Sequence, residues 1–145
     1  MNQITAKWHT SIREIKKEQY QNLFAAIQIP FYQWQWLYDL EESKIISRDN
    51  GWQPMHLSLW RNKEIIAIAP LYLKGHSFGE FIFDQIFVEL AHNLKLSYYP
   101  KLIGMSPYSP ITGYRFLIST LESEEEITNL IMNLIDNFSI RNKIL

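Results

Sequence analysis

The sequence predicts an α+β fold, a mostly antiparallel sheet with packed helices. Three observations carry this expectation. Met55, Leu57 and Leu59 alternate with His56, Ser58 and Trp60, the period-two pattern of a strand. A polar turn, Arg61-Asn62-Lys63-Glu64, then leads directly into a second apolar segment, Ile65 to Lys74. Four other stretches repeat apolar residues every three to four positions, as helices do. Strands joined by so short a turn pair antiparallel, which leaves the helices to cover the sheet.

Taken in order, Thr10 to Ile15 reads as a short strand. Tyr20, Leu23, Phe24 and Ile27 fall at i, i+3, i+4 and i+7 and predict an amphipathic helix. Pro30 separates it from a second helix, about residues 32–43, in which Trp34, Leu37 and Tyr38 share a face. Asp49-Asn50-Gly51 is turn chemistry. Pro70 cannot donate to a ladder, so its strand should carry a bulge or lie at an edge. Ser77 and Glu80 have the spacing of a capping box, and Phe83, Ile86, Phe87, Leu90 and Leu94 follow on one helical face. Two extended segments, residues 98–105 and 114–119, flank a turn containing Pro107, Pro110 and Gly113. Ser123 and Glu126 form a second capping box ahead of Ile127, Leu130, Ile131, Leu134 and Phe138. The expected order is β-α-α-β-β-α-β-β-α. The last helix runs almost to Leu145 with no strand after it. Residues 1–145 are therefore expected to be the N-terminal part of a domain cut at its C-terminal end. Apolar surface on the last helix and the sheet edge would then drive self-association.

At 145 residues the chain is one domain or part of one, and its 47% apolar and 14% aromatic residues argue for a packed core. The net charge of −1 gives no field that favours nucleic acid or an acidic membrane, so DNA and membrane partners are not expected. The short charged runs at Lys16–Glu18 and Glu122–Glu126 read as solvated helix faces. With no cysteine, disulfides, thiolate nucleophiles and Cys-based zinc sites are excluded, and a reducing compartment is compatible. The first residues show no basic-then-apolar leader, and no apolar run approaches the ~20 residues of a spanning helix. A cytoplasmic location is the expectation.

Gly75-His76-Ser77-Phe78-Gly79 is a literal G-x-S-x-G between a predicted strand and a predicted helix. A hydrolase would also need an acid and a histidine returning from later strands. The only later histidine, His92, lies on the helix that Ser77 itself would start. Ser77 therefore reads better as a helix cap, with exposed amides at the helix start as an alternative anion site. His76, Glu80 and Asp84 recur every four residues and could line one side of that helix start, as a polar cleft wall or a metal site. The four histidines form no H-x-x-x-H pair, and no metal is assigned. Aromatic residues near the Pro-rich turn are candidates for a ligand-facing surface.

Four blocks occur in one order: Gly51 to Leu57, Ala69 to Asp84, Tyr98 to Leu102 and Ser109 to Arg115. Together they closely resemble the FemAB-like family of N-acyltransferases, described as peptidoglycan biosynthesis and recognition proteins and related to the acetyltransferase-like fold. Members usually carry Ser where this chain has Gly75, so the G-x-S-x-G is read as accidental. The resemblance implies transfer of an acyl or aminoacyl group onto a small-molecule or peptide amine, with cell-wall peptide metabolism as one setting. In the related fold the amine attacks the activated carbonyl without a covalent enzyme intermediate, and a carboxylate takes the proton. No phosphate loop of acetyl-CoA users is visible. No cofactor is evident, and an acyl-CoA or aminoacyl-tRNA donor enters by family analogy alone. The catalytic residue is not assigned; the candidates are Glu80, Asp84 and His76. Ser77, Tyr99, Lys101, Thr112 and Arg115 are the substrate-binding candidates. The competing readings are that these residues fix loop geometry, and that the chain is a non-catalytic binding remnant of the same fold.

Overall fold

One long two-stranded ribbon changes sheet halfway along its length, and that break positions everything else. The computed structural model describes residues 3–25, 29–78, 82–109 and 113–144. Seven strands are β1 (Ile4–His9), β2 (Trp52–Pro54), β3 (His56–Arg61), β4 (Glu64–Ala69), β5 (Tyr72–Lys74), β6 (Lys101–Ile103) and β7 (Leu117–Ile118). Four helices are α1 (Lys17–Phe24), α2 (Trp34–Glu42), α3 (Gln85–Asn93) and α4 (Glu124–Asn142). The strands form two antiparallel sheets, ordered β1-β3-β4-β7 and β2-β5-β6. The fold is α+β, compatible with part of an acyltransferase-like domain.

The ribbon pairs Leu57 with Ala69 in the first sheet and Pro54 with Tyr72 in the second. Between them Pro70 has no N–H to give, and the ladder breaks there. The Met55 amide still reaches the Leu71 carbonyl at 2.9 Å. The Leu71 amide is taken instead by His56 Nδ1 at 3.1 Å. Pro70 thus marks a change of sheet, and the one bulge on this ribbon lies elsewhere, between Leu59 and Trp60.

Both faces of the larger sheet are covered, which explains the near-continuous burial of β3 and β4 where the sequence suggested alternation. One core gathers Ile65, Ile68 and Leu117 with Ile12, Ile15, Tyr20, Leu23 and Leu37 from the α1 and α2 side. The other gathers Leu57, Leu59, Ile66 and Ala67 with Ile127 and Ile131 of α4. Trp8 stacks on Phe138 with ring centroids 4.2 Å apart. A smaller core of Leu40, Ile46, Trp52 and Tyr72 fastens the second sheet to the end of α2.

Several local expectations are corrected. The first strand precedes Thr10, and Ile12–Glu14 is a short 3₁₀ turn capped by the Ser11 hydroxyl. The predicted first helix ends earlier, and Ile27 lies outside the described residues. The Ser123 box holds, since Ser123 accepts from the Glu126 amide at the start of α4. α3 begins at Gln85, eight residues after Ser77, and Asp84 precedes it without a side-chain cap; Glu80, the other half of the expected Ser77 box, lies outside the described residues. The apolar face of α4 is seated on the sheet through Ile127 and Ile131, contrary to the expected exposure. The uncovered apolar face belongs to α3, where Ile86, Phe87 and Leu90 are exposed. Among the described residues no helix is long and apolar enough to cross a membrane.

Candidate functional site

The second sheet brings two distant segments together. β5 pairs with β6 so that Lys74 lies opposite Lys101, which sets the loop after β5 beside the residues that lead into β6. Ser77 and Asp84 come from the first segment, and Tyr98, Tyr99 and Lys101 from the second.

Asp84 is the hub. Its Oδ2 accepts from Lys101 Nζ at 2.6 Å and from Ser77 Oγ at 3.1 Å, and lies 3.0 Å from Tyr99 OH. Tyr99 OH also lies 2.8 Å from Ser77 Oγ. The two hydroxyls have one proton each, so a consistent arrangement runs from Tyr99 through Ser77 to the carboxylate. Lys101 further donates to Tyr98 OH at 3.3 Å and sits 4.5 Å above that ring. The side chains of Asp84 and Lys101 keep only 10% and 16% of their surface exposed, so their charges are poorly screened by water.

Burial alone would raise the Asp84 pKa, but the bonds from Lys101, Tyr99 and Ser77 outweigh it and hold the carboxyl below its usual value. Burial opposes the Lys101 charge, yet its bonds to Asp84 and Tyr98 keep the ammonium above its usual range. Burial lifts the Tyr99 phenol, with the Asp84 carboxylate adding to the effect and the Ser77 bond opposing it. Asp84 is therefore a locked anion and a poor proton acceptor. What it does well is fix two hydroxyl groups.

Those hydroxyls border a cleft of about 210 Å³ lined by Ser77, Phe78, Asp84, Gln85, Val88, Glu89 and Tyr99. Glu89 makes no hydrogen bond or ion pair among the described residues, which leaves its carboxylate available to a ligand. It escaped the sequence reading because a single polar residue on an amphipathic helix carries no pattern of its own.

The other candidates fall elsewhere. His76 packs against Gly51, where φ is +71° and an added Cβ would sit 2.6 Å from the imidazole. Its Nδ1 accepts from the Phe78 amide at 3.3 Å, so it serves the loop. Of the three residues expected to share a face, His76 and Asp84 lie before the start of α3 at Gln85, and Glu80 falls outside the described residues. Arg115 is exposed, donates to the Tyr114 carbonyl at 2.9 Å, and lines a separate groove with Ser119, Thr120, Glu122 and Glu124. Glu80 and Thr112 lie outside the described residues. Among the described residues no three His, Asp or Glu side chains are grouped to hold a metal ion.

A second cluster has the outline of a hydrolytic triad. His9 Nε2 lies 2.6 Å from Ser58 Oγ, and His9 Nδ1 lies 3.3 Å from Glu14 Oε2. His9 and Ser58 are fully buried, and Trp60 Nε1 donates to the same serine oxygen at 2.7 Å. A nucleophile must reach a carbonyl carbon, and this one is enclosed. It is a satisfied polar knot joining β1, β3 and the 3₁₀ turn.

Of the sequence blocks singled out above, Gly51 to Leu57 supplies β2, Ala69 to Asp84 supplies β5 and the hub carboxylate, and Tyr98 to Leu102 supplies β6 and the lysine. They converge on the smaller sheet and its cleft. A family model described as FemAB-like, peptidoglycan biosynthesis/recognition, matches residues 11–145. No curated protein and no solved structure matches the chain.

Proposed function

The chain belongs to the FemAB-like family of peptidoglycan biosynthesis and recognition, and from that premise we propose that it supports transfer of an acyl or aminoacyl group onto the amine of a small or peptide substrate at the cleft beside Asp84. The observation that carries this reading is the Asp84-centred cluster, which holds the Ser77 and Tyr99 hydroxyls at the cleft mouth. With Ser77 still donating to Asp84, the positioned Tyr99 hydroxyl turns its one proton from Ser77 to a carbonyl oxygen as negative charge develops on it. The attacking amine forms the new C–N bond while the bond to the donor's oxygen or sulfur breaks. The proton leaves the nitrogen for a carboxylate, which passes it to the departing oxygen or sulfur, and Glu89 suits that task better than Asp84 because it has no hydrogen bond or ion pair among the described residues. The donor is an activated ester or thioester, an aminoacyl-tRNA or an acyl-CoA, by analogy with the family.

The test is amide formation. Purified protein is incubated with each donor class and a peptide amine, and product is followed by mass spectrometry. The expected result is product from one donor class, slowed roughly 100-fold by Tyr99→Phe, as when one donor to a developing oxyanion is lost. No product from either class, or a variant as fast as the parent, overturns the proposal. A binding-only reading draws on one observation: Asp84 Oδ2 is already engaged by Lys101 and Ser77 of its own chain, with Tyr99 OH 3.0 Å away. Saturable binding of the peptide amine without turnover is its signature.

A further inference from the structure

Phe78 and the stretch from Phe83 to Leu96 carry the least expected surface among the described residues. Phe78, Phe83, Ile86, Phe87, Leu90, Leu94 and Leu96 are each between 53% and 83% exposed. Along α3 and its two ends, Phe83, Ile86, Phe87, Leu90 and Leu94 form a stripe, spaced three to four apart as on a helix that packs against a partner. At roughly 200 Å² per large apolar side chain, the seven expose about 900 Å² of apolar surface. The largest patch on an ordinary monomer is about 300–600 Å². Two such patches pressed together would bury about 1,800 Å², within the range of stable specific interfaces.

We propose that this face is a dimer interface in which α3 pairs antiparallel with α3 of a second copy, across a two-fold axis near Leu90. The area argues for a second copy, because one patch is too small for a stable interface with a thin partner and two together reach the usual size. An axis near Leu90 falls at the middle of the exposed stripe from Ile86 to Leu94. The antiparallel arrangement sets the two helix dipoles in opposition, which is favourable, whereas a parallel pairing would set like beside like. The same patch borders the Ser77 cleft through Phe78 and Val88, so the second copy would wall that cleft on its open side. The inference does not rest on the chemistry proposed above, since it concerns association alone.

The absence of cysteine makes a clean test. The intact chain is examined by sedimentation equilibrium, alongside Leu90→Glu and single-cysteine variants Leu90→Cys and Leu121→Cys, with circular dichroism as the check on folding. Leu121 is 94% exposed and remote from α3 in sequence, and serves as the collision control. The expected results are a dimer and a dissociation constant raised roughly 30-fold or more by Leu90→Glu, the loss of one central anchor. Oxidation should cross-link Leu90→Cys at least about tenfold faster than Leu121→Cys, because a two-fold axis places the two position-90 residues together. A monomer, equal cross-linking at both positions, or binding to lipid vesicles in place of dimerisation overturns the proposal. If Leu90→Glu fails to fold, the cysteine pair alone decides.

Discussion

Replacing Asp84 with Asn probes the hub without changing its shape. The amide can still accept from one donor, but the negative charge that faces Lys101 is gone. Removing one partner of a fully buried ion pair costs about 3–5 kcal/mol, and an exposed pair is worth about 0–1 kcal/mol. With 10% and 16% of the two side chains still wet, the pair lies between these limits. A loss of about 2 kcal/mol at neutral pH is expected. In a chain of this size that lowers the melting temperature by about 6 °C. The pH dependence supplies the sharper reading. The folded-state pKa of Asp84 is depressed, so its contribution is complete above the usual carboxyl pKa and is lost as pH falls through the folded value. Urea unfolding of parent and variant should therefore differ by a constant amount near pH 7, and the difference should close below about pH 4. Adding Lys101→Met to Asp84→Asn should cost less than the sum of the two changes, because both remove the same bond. A loss below about 0.5 kcal/mol, a gap unchanged at about pH 3, or strict additivity would refute the hub.

Two further outcomes follow from groups buried away from the cleft. The Tyr72 hydroxyl is buried with no hydrogen-bond partner among the described residues, so Tyr72→Phe should leave the melting temperature unchanged or raise it by the equivalent of up to about 1 kcal/mol. A clear loss would mean that the hydroxyl is bonded after all, with His56 and Glu41 the candidates to share a bridge. His9 has its pKa lowered, chiefly by burial, against the raising effect of Glu14. A depressed histidine stabilises above its unfolded value and loses that contribution as pH falls, because the unfolded chain takes up the proton first. Stability should therefore decline from about pH 6.5 downward, with a slope of up to about 1.4 kcal/mol per pH unit from this one residue. An imidazole resonance at position 9 that titrates at or above about 6.5 by NMR would contradict it.

The elements legible in the sequence are those whose signals are local. Ser123 and Glu126 announce α4 because the serine oxygen and the amide it accepts from are three residues apart and need nothing else. Ser77 and Glu80 show the same spacing, but the described bonds of the Ser77 hydroxyl run to Tyr99, 22 residues away, and to Asp84, and α3 begins only at Gln85. β1 hides for a different reason: it is an edge strand, mostly exposed over Ile4–His9, so burial imposes no alternation on it. The change of sheet at Pro70 is legible as an anomaly. Its resolution depends on His56, 15 residues distant from Leu71, which offers a ring nitrogen to the stranded amide.

The site divides along the same line. Ser77 and Asp84 come from one block and Tyr99 and Lys101 from another, and the strand register that sets Lys74 opposite Lys101 brings the two segments together. Arg115 is nominated on equal grounds and does not join them. It leads into β7, which pairs with β4 in the other sheet, so its backbone is carried away from Lys101 however the two look in sequence. A residue pattern can nominate polar side chains for a site, but the strand that each one precedes decides whether they converge. In this chain the deciding element is the ribbon's break. Had Pro70 kept the ladder intact, β5 would have continued the larger sheet, and the loop that holds Ser77 and Asp84 would face neither Tyr99 nor Lys101.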